Sequence, residues 1–344
     1  MLKALVILGL LSQNWLPPLS AAVKPAAERQ MPQEVKAVYV TSNMVRHPQF
    51  QYIRQLLRDT ELNAVVINTK EPWGPRLDDK LARIVKELHD DGVWVIARHV
   101  TFQDDGLATN KPELALKRAD GSLWRDNGGR TWVDPASKEV WEYNLVIAKL
   151  TLDYGFDEIN LDYIRFPTDG NTQAIRYPAW DKTTPREDVI TDFASWFRRQ
   201  LKSAKPNVVV SVDVFGYTFV EDWDLDMGQR VKKLATAVDV LSPMIYPSHY
   251  YGKNFGFTNP AEHPYEVVKL TLEKGKKLFT DTPQTIIRPW LQDFNMGAIY
   301  NAAMVGAEIK AIKDAGYQSG WMLWNPRNIY TSGALEPKTT TIKN

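Results

Sequence analysis

Strand-like and helix-like segments alternate along almost the whole of the 344-residue chain. That alternation constrains the fold more than any other feature. Short apolar runs predict strands at 35–41, 63–68, 93–98, from 157, and at 208–214, 239–246, 285–291 and 319–324. Helical periodicity predicts helices at 48–60, 77–91, 136–154, 226–236, 264–279 and 297–315. A further helix is predicted to run from Thr184 as N-cap and Pro185 as first helical residue to about Lys205. Eight strands alternating with seven helices fit a single (β/α)8 TIM barrel over 35–330, with long βα loops at 101–135, 166–183 and 247–263. An open doubly wound sheet that binds nucleotides needs a glycine-rich first turn. Here Ser42-Asn43-Met44 follows the first strand, so that signal is absent.

The fourth strand carries the first chemical signal. In Asp157-Glu158-Ile159-Asn160-Leu161-Asp162-Tyr163-Ile164-Arg165-Phe166-Pro167, Ile159, Leu161 and Tyr163 share one face, while Asn160 and Asp162 share the other. A parallel strand is covered on both faces, so adjacent polar residues on one of them need a reason. A barrel lumen opening into an active site supplies it. The next two strands repeat the pattern. Val208, Val210, Val212 and Val214 form one face of the fifth, opposite Val209, Ser211 and Asp213. In the sixth, Leu241 and Ile245 oppose Ser242, Met244 and Tyr246. These readings place Asn160, Asp162, Ser211, Asp213, Met244 and Tyr246 on the lumen side near one rim.

Two carboxylates on adjacent strand ends suit glycosidic bond hydrolysis, in which a protonated acid serves the leaving oxygen and an ionised one attacks or activates water. Asp162 and Asp213 are the candidate catalytic pair. Arg165, three residues on, is expected to favour the ionised Asp162, and valine surroundings to keep Asp213 protonated, although the roles are exchangeable. Asn160, Arg165, Tyr246, Trp290, Trp324, Asn325, Arg98 and Lys70, at or near strand ends, are the candidate substrate-binding residues. In the long loops, Trp124, Trp132, Trp180, Tyr250 and Tyr251 are candidates for an aromatic lining.

Composition removes several classes. The 42 basic and 41 acidic residues give a net charge of +1, which provides no field for nucleic acid or an anionic membrane. There is no Cys, so thiol catalysis and disulfides are excluded. The five His residues show no HxxH or HExxH spacing, and no metal or other cofactor is expected. At the amino terminus, Lys3, the apolar run from Ala4 to Leu11 and the small residues Ser20-Ala21-Ala22 follow the order of a secretory signal peptide. A leader is therefore expected at 1–22, a linker at 23–34 and a loose tail at 331–344. The mature chain would be periplasmic or secreted, without a membrane span.

Leu161-Asp162-Tyr163-Ile164-Arg165-Phe166-Pro167, Val212-Asp213-Val214-Phe215-Gly216 and Leu241-Ser242-Pro243-Met244-Ile245-Tyr246, in this order, resemble the bacterial putative glycosyl-hydrolase domain family of TIM barrels. The resemblance covers roughly Val35 to Tyr330 and implies a barrel and a sugar-directed hydrolase, with no known substrate. More distantly, the chain is similar to chitinase-type barrels. Their fourth strand carries spaced acids ending in a proton donor, where this chain has Asp157, Asn160, Asp162 and then Ile164. Their Met-x-Tyr and Gly-x-Met-x-Trp motifs are similar to Met244-Ile245-Tyr246 and Gly320-Trp321-Met322-Leu323-Trp324. The resemblance thus implies the floor and wall of a sugar site without the chitinase donor. The expected activity is that of an exported glycoside hydrolase acting on a poly- or oligosaccharide. The alternative is a glycan-binding barrel of the cell envelope that cleaves nothing.

Overall fold

The computed structural model of the protein describes residues 29–252, 254–279 and 285–338. In chain order its strands and helices are β1 (Val35–Val40), α1 (Phe50–Asp59), β2 (Ala64–Glu71), β3 (Gly74–Pro75), α2 (Asp79–Asp90), β4 (Trp94–Val100) and α3 (Asp105–Asn110). There follow α4 (Lys138–Asp153), β5 (Glu158–Asp162), α5 (Arg186–Ala204), β6 (Val209–Phe215), α6 (Val231–Ala237) and β7 (Val240–Ile245). The last elements are α7 (Pro264–Lys276), β8 (Ile286–Ile287), β9 (Trp290–Gln292), α8 (Ala302–Asp314) and β10 (Gly320–Trp324). β1 pairs in parallel with both β2 and β10, which closes the sheet. All the other pairings within the ring are parallel, and only the short β3 runs antiparallel, against the end of β2. The result is the expected (β/α)8 barrel.

Strand parity sets two cores. Val38, Val65, Val95, Ile159, Leu161, Val210, Val212, Val214 and Leu241 face the helices. Val35, Ala37, Tyr39, Ala64, Val66, Trp94, Ile96, Trp290 and Met322 fill the lumen. Behind the strands, Phe193 of α5 meets Phe102, Trp141 and Phe197 at ring distances of 5.0, 5.5 and 5.3 Å. This cluster ties α5 to α4, and truncating Phe193 would cost about 3–5 kcal/mol.

Some boundaries differ from expectation, each for a local reason. The seventh strand is split into β8 and β9 at Arg288-Pro289, because Pro289 has no N–H to give the ladder. Helix α6 starts at Val231 rather than 226, since Leu225, Asp226 and Gly228 hold positive φ of 53°, 56° and 85°. Helix α8 starts at Ala302 rather than 297, where Gly297 has φ 72° and the Asn301 side chain accepts from Met304 N at 3.1 Å. Thr184 does not cap α5. Its N–H donates to Asp181, and Pro185 itself holds the cap position.

The leader expected at 1–22 lies outside the described residues, as do the first residues of the linker. The described part of that linker is held: Arg29 donates to His89 O and Val93 O at 3.3 Å each, and Met31 packs against the lumen cluster. The start of the expected loose tail is held as well. Glu61 N donates to Glu336 O at 2.8 Å, and Lys338 N donates to Asp59 O at 2.9 Å. Among the described residues, no helix is long and apolar enough to cross a membrane.

Candidate active site

The lumen is polar in layers. At its inner level Glu158 is fully buried and ion-paired with Arg288 Nη2. Trp94 Nε1 donates to Glu158 Oε2 at 3.1 Å, and Ser211 Oγ donates to Oε1 at 2.6 Å. One step nearer the C-terminal rim, Asn160 Nδ2 donates to Ser211 Oγ at 3.1 Å and to Asp213 Oδ1 at 2.8 Å. Asp213 Oδ1 also accepts from Trp290 Nε1 at 2.7 Å. Burial, and then the charge of Asp162, push the Asp213 carboxyl up to about 8 against the pull of these two hydrogen bonds. Because both donors use Oδ1, the proton of the neutral acid belongs on Oδ2.

Asp162 sits at the rim end of β5. Arg98, on the neighbouring β4, donates to Asp162 Oδ2 through Nε at 2.9 Å and through Nη2. Its Nη1 reaches Asn68 Oδ1 at 2.9 Å. Burial works against the Arg98 charge, but Asp162, Tyr39, Tyr163 and Asp213 together offset it and hold the guanidinium above its usual range. The Arg98 guanidinium lies 5.1 Å from the Trp324 ring centre and 5.7 Å from that of Tyr39, and those two rings stack at 3.9 Å. Tyr163 follows Asp162 with φ 51°, a left-handed conformation unfavourable for a residue with a side chain, and its N–H donates to Asp162 Oδ1 at 2.6 Å.

Asp162, Asp213, Asn160, Arg98, Tyr246, Trp290 and Trp324 therefore gather at the C-terminal rim. Burial, then Asp213 and Asp162, raise the Tyr246 phenol well above its usual value. Trp290 and Trp324 meet edge to face at 5.6 Å.

Two expected substrate-binding residues, Lys70 and Asn325, are placed otherwise, and Arg165 lacks the expected partner. Lys70 is fully buried on the outer side, where Nζ pairs with Asp104 at 2.7 Å and donates to Val100 O at 2.6 Å. The register of β2 shifts between Asn68 and Lys70, so Asn68 reaches the lumen network instead. Asn325 braces its own loop, accepting from Arg327 N at 2.9 Å and donating to Ile329 O at 2.5 Å. Arg165 does not pair with Asp162. It packs among Trp132, Phe215 and Tyr163 at 4.9, 5.1 and 5.5 Å.

The aromatic lining is also corrected. Trp124, Trp132 and Tyr250 are buried as loop cores. Trp180 packs on Phe166 and Tyr177, both at 4.9 Å, and only Tyr251 stands largely exposed. The open space at the rim is a cleft of about 410 Å³ whose lining includes Trp73, Arg98, Asp126, Arg130, Tyr163 and Arg165. Trp73, 52% exposed, carried no signal in the sequence beyond being a loop Trp. Glu158 was accessible by extending the β5 parity one step back, but its partner Arg288 has no local signature.

Among the described residues no group of three or more His, Asp or Glu is placed to hold a metal ion. The model of the family described as putative glycosyl hydrolase domain matches residues 76–330. That leaves β1, α1 and β2, which complete the barrel, outside the match. No curated protein sequence matches the chain. Among solved structures, the PgaB (BpsB) glycoside hydrolase domain from Bordetella bronchiseptica is similar with a TM-score of 0.65 and 13% identity, over 89% of this chain and 100% of that one. The Bacillus cereus spore cortex-lytic enzyme SleL gives 0.55 and 10% identity, over 88% and 73%. A hypothetical protein from Ruminiclostridium thermocellum is 34% identical over 52% of this chain and 97% of its own, with a TM-score of 0.45. The first two likenesses show the barrel fold. With three quarters of its length under the family model, the chain belongs to the putative glycosyl hydrolase domain family.

Proposed function

We propose that the protein is an exported glycoside hydrolase that cleaves a polysaccharide with Asp162 and Asp213. The observation that carries this reading is the contrast between two acids at neighbouring strand ends. Asp162 is ion-paired with the Arg98 guanidinium, whereas Asp213 is buried and its carboxyl is pushed up to about 8. Such a split assigns roles. Asp213 Oδ2 gives its proton to the leaving glycosidic oxygen. Asp162 attacks the anomeric carbon or takes a proton from water. Strands ~4.8 Å apart favour the short carboxylate separation of retaining enzymes. Tyr246 and Asn160 orient the sugar and Asp213, and Trp324 forms an apolar floor. Export rests on the leader expected at 1–22.

One observation favours a second reading, a barrel that binds glycan without cleaving it. Both Asp162 oxygens already accept hydrogen bonds, Oδ2 from Arg98 and Oδ1 from Tyr163 N. Oδ2 accepts twice from Arg98, which leaves only the second lone pair of Oδ1 for attack.

Release of reducing ends from a panel of envelope and plant glycans, by the wild type and by Asp162→Asn, separates the two readings. The hydrolase releases product from at least one glycan and the variant loses ~10³-fold or more. Glycan binding with no release by the wild type would replace hydrolysis with the second reading.

A further inference from the structure

The cleft over the rim contains a cation that the protein leaves without an ionic partner. Arg165 lines it and is only 9% exposed. Among the described residues no carboxylate oxygen comes within the 4.0 Å of an ion pair to its guanidinium. Its hydrogen bonds, from Nη1 to Phe166 O at 3.2 Å and to Thr168 Oγ1 at 3.3 Å, are both long. Burial pulls its pKa down, and Tyr163, Asp169, Asp162 and Asp126 act on it only through space. A buried charge without a partner is costly, and a ring cage offsets only part of that cost.

Apart from the exposed Asp169, the other charges of the cleft are already used. Arg98 serves Asp162. Arg130 Nη1 pairs with Asp105 at 2.8 Å. Asp126 accepts from Trp132 Nε1 at 2.9 Å, Gln103 Nε2 at 2.8 Å and Arg130 N at 2.8 Å, so it is held in place. Asp169 is exposed. The group left over is therefore a planar guanidinium with free donors, in a cleft that also presents the exposed indole of Trp73. A guanidinium fork matches the two oxygens of a carboxylate, and an indole face matches a sugar ring.

We propose that the cleft takes a carboxylate-bearing sugar, a uronic acid unit of an acidic polysaccharide, with its carboxylate on Arg165 and its ring against Trp73. This deepens the hydrolase reading and rests on it, the cleft sharing Arg98 with the Asp162 pair. The cleft meets the acids through Arg98, which lines it and pairs with Asp162, so the charge preference should appear in binding and in turnover alike.

The test is calorimetric titration of Asp213→Asn, which removes the assigned proton donor. The ligands are galacturonic- and glucuronic-acid-containing oligosaccharides and their carboxyl-reduced counterparts. At least one acidic oligosaccharide is expected to bind ~10-fold or more tighter than its reduced form. Adding Arg165→Gln should bring that ratio close to one. Should the added change prevent folding, Asp169→Asn alters an exposed residue and should tighten acidic ligands two- to threefold while leaving reduced ones unchanged, roughly as expected for removing a like charge. Acidic ligands that all bind no better than their reduced forms would overturn the proposal. Cleavage of neutral glycans with that result would leave the hydrolase reading standing. Acid-selective binding with no cleavage of any glycan would defeat the hydrolase reading and leave the preference intact.

Discussion

Trp290 Nε1 donates to Asp213 Oδ1 at 2.7 Å across the mouth of the barrel, from a strand separated from that of Asp213 by one other. The bond favours the ionised carboxylate, so it limits how far burial raises Asp213. Replacing Trp290 with Phe should therefore move the Asp213 pKa further up. The alkaline limb of kcat/KM would shift to higher pH, with a stability loss of about 1 kcal/mol for the missing hydrogen bond plus a smaller packing loss. A pH–rate profile checks it; an unmoved or lowered limb would separate Asp213 from the limb.

Stability should carry the same signature. The folded value of Asp213, about 8, lies above the ~3.9 of an unfolded aspartate. Between those values the native state binds the proton and the unfolded chain does not. Its contribution is fully present below about pH 4 and is lost as pH rises through about 8. Asp213→Asn mimics the protonated form and should remove this slope. The variant is expected to gain Tm relative to the wild type from pH 6 to pH 9. Parallel Tm curves for the two proteins would contradict it.

Arg98 and Asp162 form a buried pair with side chains 9% and 11% exposed. Removing one partner leaves the other charge uncompensated. Arg98→Met should destabilise by about 3–5 kcal/mol, as read by urea unfolding. Asp162→Asn in the same background should recover part of that loss.

The barrel was legible because it rests on short-range pattern. Period-2 alternation in β5, β6 and β7 was enough to put Asn160, Asp162, Ser211 and Asp213 on the lumen face. What escaped depends on register and on turns. Arg165 is three residues from Asp162, but the left-handed Tyr163 turns the chain away, and Arg98, which is far in sequence, takes the pairing. Lys70 followed the strand count, yet the register shift after Asn68 sends it outward. Trp124 and Trp132 looked like groove walls, while the long 101–135 excursion folds on itself through the bridges Ala115↔Val133 and Arg125↔Thr131 and buries them. Composition cannot tell a loop that lines a site from one that builds its own core.

The inner pair offers a test of lumen packing apart from chemistry. Glu158 and Arg288 are both fully buried. Arg288→Met alone should cost about 3–5 kcal/mol, whereas Glu158→Gln with Arg288→Met should cost much less, since neither charge is then left alone. A double-mutant cycle by urea unfolding measures the difference, and purely additive losses would show that the pair is not coupled.

The central claim is the division of labour between Asp162 and Asp213, and the dependence of each variant on leaving-group acidity tests it most directly. An aryl glycoside with a good leaving group needs little protonation. With Asp213→Asn, kcat/KM should recover strongly as the leaving group becomes more acidic, while Asp162→Asn should stay inactive on every substrate. Equal, unrescued losses in both variants, or full activity in both, would contradict the assignment.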